Sequence, residues 1–186
     1  MENRIDIHIK GCLANNLKSQ EWLYRYCFER LMKVCLRYHS NEIDASSSFN
    51  KSMHKVFGKL GQYRNDGHFL GWVHKIIVNT CLNELRSEIR NSAAEIKGVQ
   101  MEEFTVAPDT YSNMSEKEIL LCVQQLPSTA RIVFNLYVME NYNHAEVGKL
   151  LNISEGTSKW HLNQARALLK QKLIQMNIKQ GYANEY

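Results

Sequence analysis

Only 2 prolines and 9 glycines interrupt this chain of 186 residues. Proline breaks helices and glycine weakens them, so long stretches are free to be helical. Collagen-like, proline-rich and glycine-rich classes are excluded, and turn residues are too few for a typical β-sandwich. Apolar residues recur at three- and four-residue steps, and no stretch of any length carries a strand's two-residue period. The expected class is all-α, built as two small helical domains joined by an acidic linker.

The first periodic segment is Glu21 to Tyr38, with Leu23, Tyr26, Cys27, Leu31, Val34, Cys35 and Tyr38 in register and Ser19 expected as its cap. The second runs from about Ile43 to Gly61, with Phe49, Met53, Val56, Phe57 and Leu60 on one face. A loop, Gly61 to His68, leads to a third helix from Phe69 to about Arg90. Its stripe is Phe69, Trp72, Val73, Ile76, Ile77, Thr80, Cys81 and Leu85; Trp72 and Phe69 on that stripe read as core. Periodicity then fades. Between Asn91 and Glu118, six acids stand against two lysines, a net of −4. The expected division is therefore a domain over 1–90, a linker over 91–113 and a domain over 114–186. Ser115 to Glu118 and Asn143 to Glu146 fit capping boxes, and Ser154 is placed to cap the last helix.

Whole-chain properties narrow the function. The net charge of +4 is mildly basic, and six lysines and arginines face three acids from Asn141 onward. That charge alone points only weakly to nucleic acid. No apolar run is long enough to span a bilayer, and Met1 to Gly11 lacks the apolar core of a secretory signal. A cytoplasmic protein without membrane insertion is expected. The five scattered cysteines form no Cys-x-x-Cys pair and read as small buried hydrophobes. The seven histidines include no His-x-x-x-His pair, and no paired-carboxylate cluster or nucleophile elbow is present. No enzyme activity, metal or cofactor is expected.

The most informative stretch is Asn143 to Arg166. A helix of about two turns ends at Leu151, Asn152-Ile153-Ser154 forms a tight turn, and a second helix opens with Glu155-Gly156-Thr157-Ser158-Lys159. This is the helix-turn-helix layout, in which the second helix presents its N-terminal residues to the DNA major groove. Thr157 and Ser158 are small and can bond bases or phosphates, while Lys159 and Arg166 can neutralise phosphates. Val147, Leu150, Leu151, Ile153, Leu162 and Ala165 are expected to form the core that fixes the interhelical angle. Spacing alone leaves open an ordinary αα-hairpin that binds nothing.

Two motifs in order go further. Leu126-Pro127, Arg131 to Phe134 and Tyr142 to Lys159, followed by Leu162, Ala165-Arg166 and Leu169, resemble region four of the extracytoplasmic-function sigma factors. Phe69-Leu70-Gly71-Trp72 through Leu85-Arg86 resembles the end of region two of that family. The resemblance covers roughly residues 20–176. It implies a non-enzymatic factor that binds core RNA polymerase and gives it promoter specificity. The implied partners are bacterial core polymerase and double-stranded and melted promoter DNA, with an anti-sigma factor as a further candidate. Region four reads the minus-thirty-five element, and its expected contact set is Glu155, Gly156, Thr157, Ser158, Lys159, His161 and Arg166. Region two recognises and opens the minus-ten element. There Tyr63, Arg64 and His68 in the loop offer stacking, charge and polar edges for an unstacked base. Asn79 and Arg86, seven apart on one helix face, are placed to reach one DNA surface.

One stretch departs from the pattern. The helix that usually meets the basic polymerase clamp with acids and glutamine here reads Ala45-Ser46-Ser47-Ser48-Phe49-Asn50-Lys51-Ser52-Met53. Ser47, Asn50, Lys51 and His54 are the expected polymerase-facing residues, with Ser46 on the exposed side as well. The departure motivates an alternative, a sigma-like helix-turn-helix regulator with weakened polymerase binding. It also predicts that Lys51→Glu, alone or with Ser47→Asp, tightens binding to core polymerase.

Overall fold

The computed structural model describes residues 2–64, 67–93 and 115–183. Asn65, Asp66 and most of the expected linker lie outside the described residues. The described chain is helical throughout. In order come α1 (Glu2–Leu13), α2 (Leu17–Tyr38), α3 (Glu42–Lys59), a 3₁₀ turn (Leu60–Gln62) and α4 (Phe69–Ala93). Then follow α5 (Glu116–Gln124), α6 (Ser128–Phe134), a π-helical turn (Asn135–Met139), α7 (His144–Leu151) and α8 (Glu155–Ala183). Two compact units are present, Met1–Glu84 and Leu85–Tyr186. No described helix is long and apolar enough to cross a membrane.

In the first unit, α1 is an element that periodicity did not reveal. It buries little of itself beyond Ile9 and Cys12, so its apolar stripe is thin, and it packs on α2 with the His8 ring stacked on Trp22 at 3.9 Å. The cap of α2 is Asn16 rather than Ser19. The Asn16 side chain accepts from the Ser19 amide at 3.0 Å, so Ser19 lies inside the helix. Leu23, Cys27, Tyr38, Phe49, Met53, Val56, Val73 and Ile77 are almost wholly buried. Each large apolar side chain of this kind contributes about 1.5–3 kcal/mol on burial. Phe57, expected beside them, is only half-buried. All five cysteines are free and buried; burial pushes the Cys27 thiol up to about 12, which keeps it unreactive.

The serine run of α3 is divided between two roles. Ser47 is exposed, whereas Ser48 and Ser52 are fully buried. The Ser52 hydroxyl donates to the Ser48 carbonyl at 2.7 Å, and the Ser48 hydroxyl bonds the Glu84 carboxylate of α4. Lys55 donates to the Thr80 hydroxyl of α4 at 3.1 Å. Small side chains suit a close helix contact, and their hydroxyls find partners inside it.

The second unit is built around α8, which packs against α5, α6 and α7. Its core includes Cys122, Val123, Leu126, Ala130, Ala165 and Leu169. Both capping boxes form as the sequence implies, Ser115 with Glu118 and Asn143 with Glu146. Arg131 is buried, and one guanidinium nitrogen donates to the carbonyls of Gln124 at 2.6 Å and Leu126 at 3.2 Å. Those carbonyls lie in and just beyond the last turn of α5, where the helix has no partner of its own to offer them. The π turn closes through the Glu140 amide on the Asn135 carbonyl at 3.0 Å, and Asn141 leaves it at φ 60°.

Candidate nucleic-acid interface

The turn between α7 and α8 is fixed by backbone chemistry. Asn152 ends α7 in the left-handed region, at φ 56° and ψ 48°, which asparagine tolerates better than most residues. The chain folds back so closely that the Ile153 amide bonds the Gly148 carbonyl at 3.0 Å. A Cβ at Gly148 would stand 2.8 Å from the Ile153 carbonyl oxygen, so glycine is required there. Ser154 then caps α8 by accepting from the Thr157 amide at 2.9 Å.

The first turns of α8 sort the expected contact residues onto two sides. Glu155, Gly156, Lys159 and Arg166 are exposed, and Thr157 is half-buried. Asn163, exposed at the same three- and four-residue steps, completes that face and escaped the sequence reading. Ser158 and His161 are corrections: both are buried, at 0% and 3% exposure. They lie four residues before Leu162 and Ala165, on the core side, a spacing present in the sequence but outweighed by their polarity. Leu150, placed in the core by the sequence, is instead exposed, while Val147, Leu151, Leu162 and Ala165 are buried.

Electrostatics follow this sorting. Lys159 pairs with Glu155 one turn back at 2.8 Å, and the bond from Lys159 holds the Glu155 carboxyl below its ordinary range. Burial lowers the His161 pKa. His144, the first residue of α7, meets the Ser158 hydroxyl through Nδ1 at 3.0 Å and stacks on Tyr137 at 4.4 Å. Burial is the main cause of its lowered pKa; nearby Lys159 and Arg166 add to it and Glu155 opposes it. The Arg166 guanidinium sits 5.9 Å from the Tyr137 ring centroid.

The first unit carries a separate open cleft of about 510 Å³, whose lining includes Tyr63, Arg64, His68, Trp72 and Lys75. The Tyr63 hydroxyl donates to the Gly67 carbonyl at 2.5 Å, and its ring packs against Phe69 and Trp72, each at 5.3 Å. Phe69 is buried as its stripe position implies. Trp72, expected as core, is half-buried and also lines the cleft. Lys75 is a cleft residue that the sequence did not single out. Beyond it on α4, Asn79 and Arg86 are both exposed. With two aromatic rings beside cations, the cleft has the groups that hold an unstacked base and its phosphate.

On α3, Ser47, Asn50, Lys51 and His54 are all exposed. Asn50 accepts from the Tyr24 hydroxyl at 2.6 Å. Lys51 reaches the Glu84 carboxylate at 2.7 Å, and that bond raises the lysine's pKa. Burial pushes the Glu84 carboxyl up, but the bonds from Lys51 and Ser48 outweigh it and leave it below its ordinary value. Among the described residues, no cluster of His, Cys, Asp and Glu is arranged to hold a metal ion.

Comparison with known proteins matches residues 116–169 to the family model described as "Sigma-70, region 4". Over 165 residues the chain is 26% identical to the ECF RNA polymerase sigma factor SigM of Mycobacterium tuberculosis, covering 89% of this chain and 82% of that protein. It is 21% identical over 160 residues to the ECF RNA polymerase sigma factor SigW of Bacillus subtilis, covering 78% and 83%. Among solved structures, the sigma factor RpoE of Bartonella quintana, crystallised with the anti-sigma factor NepR, aligns with a TM-score of 0.48 and 16% identity. That alignment covers 84% of this chain and 98% of that one.

Proposed function

We propose, for a chain that belongs to the extracytoplasmic-function group of the sigma-70 family, a division of labour between its two units. The protein is a sigma factor of RNA polymerase, binding core enzyme and promoter DNA to direct initiation. It works by binding rather than catalysis, in the cytoplasm with its polymerase. The second unit reads the minus-thirty-five element with the exposed face of α8. Glu155, Gly156 and Thr157 approach base edges at the helix start, and Lys159 and Arg166 neutralise phosphates. The Lys159–Glu155 pair is no obstacle, because exposed ion pairs are weak and a DNA phosphate replaces the carboxylate at little cost.

In the first unit, the Tyr63–Trp72 cleft takes an unstacked base of the minus-ten element, with Arg64, His68 and Lys75 on its phosphate. Asn79 and Arg86 contact the strand further along α4. Ser47, Asn50, Lys51 and His54 form the face of α3 that meets the polymerase clamp. The observation that carries this reading is the exposed face of α8, set by the Asn152 turn and the close Gly148 contact behind a capped helix N-terminus. The test is DNA binding against salt concentration. Lys159→Ala and Arg166→Ala should each weaken binding and flatten the salt slope by about one unit per lost phosphate contact. Unchanged slopes in both variants would remove α8 from the interface.

A further inference from the structure

We propose that Tyr137 and His144 are positioning residues for promoter binding: they hold Arg166 and the first turns of α8 in the orientation in which those meet DNA. The proposal rests on the reading of α8 as the DNA-reading helix and adds two residues that touch no DNA in it. Three elements converge here. The π turn supplies Tyr137, α7 supplies His144, and α8 supplies Ser158 and Arg166. The Tyr137 and His144 rings stack at 4.4 Å with 26° between their planes. Arg166 stands with its guanidinium 5.9 Å from the Tyr137 centroid, within cation–π range. At the edge of the imidazole, Nδ1 meets the Ser158 hydroxyl at 3.0 Å.

Each contact has a physical consequence for binding. An exposed arginine populates many rotamers, and ordering it on DNA costs conformational entropy. A ring that already seats the guanidinium lowers that cost and aims its planar fork. Ser158 is fully buried, so its hydroxyl needs a partner inside the protein. Its bond to the first residue of α7 fixes how α8 is rotated about its own axis. Lys159 is the next residue, so its direction is fixed with it. A neutral imidazole suits this place, since Lys159 and Arg166 are near enough to disfavour a third positive charge and only Glu155 opposes them, and its lowered pKa agrees with that state.

The test is a double-mutant cycle on the full chain, read by titration onto a short fluorescein-labelled DNA duplex of mixed sequence. Helix content checks the fold of each variant. Tyr137→Leu should weaken binding by about two- to fivefold, the size of an exposed cation–π contact. Tyr137→Phe, which keeps the ring, should restore it. In an Arg166→Ala background, Tyr137→Leu should cost nothing further. Costs that simply add would mean that Tyr137 acts on the fold and not through Arg166, which overturns the proposal and leaves the role of α8 intact. If Arg166→Ala itself leaves affinity and salt slope unchanged, the reading of α8 fails, and the proposal fails with it.

Discussion

Two lysines in this protein make nearly identical ion pairs and have opposite prospects. Lys159 on α8 bonds Glu155 at 2.8 Å, and Lys51 on α3 bonds Glu84 at 2.7 Å. The partner of Lys159 lies one turn away on the same helix, and both side chains are about half exposed, at 55% and 52%. Such a pair is weak and easily exchanged for an outside anion. The partner of Lys51 lies on a different helix, is only 25% exposed, and also receives the buried Ser48 hydroxyl. Lys51 therefore neutralises a carboxylate that the α3–α4 contact has partly withdrawn from water. The lesson is that a cation's availability to a partner is set by what its counter-ion is tied to, not by the length of the pair. On this comparison Lys159 is free to meet phosphate, whereas Lys51 belongs partly to the fold.

Four measurements would break or sharpen this contrast. The largest effect is expected at the turn that presents Lys159. Gly148→Ala forces a Cβ against the Ile153 carbonyl and should destabilise the second unit by about 1–3 kcal/mol. Gly58 in α3 has open space around it, so Gly58→Ala should instead stabilise the first unit by about 0.5–1 kcal/mol. Denaturant unfolding followed by hydrogen exchange in peptides of each unit checks both signs.

Acid should separate the two units next. His161 and His144 have folded-state pKa values held below the ordinary 6.5, so the unfolded chain takes up those protons first. Their contribution is complete above about pH 6.5 and is lost as pH falls below it. Glu84 is lowered from 4.5, so its contribution is present above that value and fades only in stronger acid. The second unit should therefore loosen first on acidification, and His161→Leu should reduce the effect. Exchange protection of each unit measured from pH 7 down to pH 4 decides the order.

The pairs themselves come third. Glu84→Gln leaves Lys51 and Ser48 with a poorer partner and should cost the first unit about 1 kcal/mol. Glu155→Gln should leave the stability of the second unit unchanged. Equal effects in thermal unfolding would dissolve the distinction between the two lysines. The smallest effect is at the exposed face of α3 proposed to meet polymerase. Lys51→Glu, which the sequence alone favours, would set a carboxylate against Glu84, so Ser47→Asp is the cleaner change. It should tighten binding to core RNA polymerase by no more than about fivefold, and most at low salt, as exposed charges do. A competition titration in which Ser47→Asp binds more weakly would remove this part of α3 from a basic clamp surface.

Much of this was legible in the residues, and what escaped has specific causes. The helices from Glu21 onward follow from apolar steps, although α2 begins four residues earlier, at Leu17, and both capping boxes follow from a serine or asparagine three residues before a glutamate. Helix α1 was missed because its stripe is thin and it is held by its docking on α2, including a His8–Trp22 stack that no local pattern announces. Ser158 and His161 are polar, and polarity alone assigns them to the exposed face of α8. Their spacing from Leu162 and Ala165 already put them inside. Trp72 and Lys75 are neighbours one turn apart on α4, but that they line a cleft with Tyr63 and Arg64 depends on Tyr63 packing against Trp72, which no local pattern announces.

The chain by itself determined that this protein is all helix, where most helices start, and that a helix-turn-helix closes around Asn152. Those outcomes depend on propensity, periodicity and capping, which act over a few residues and are written in order along the chain. The tertiary structure decided which member of a like set faces outward: Ser47 but not Ser48, Lys159 as a loosely held cation and Lys51 as a bound one. Periodicity can assign a residue to a face, but burial and ion pairing depend on which distant helix lies against that face. For Ser48 and Lys51 the deciding group, Glu84, is more than thirty residues away in the chain.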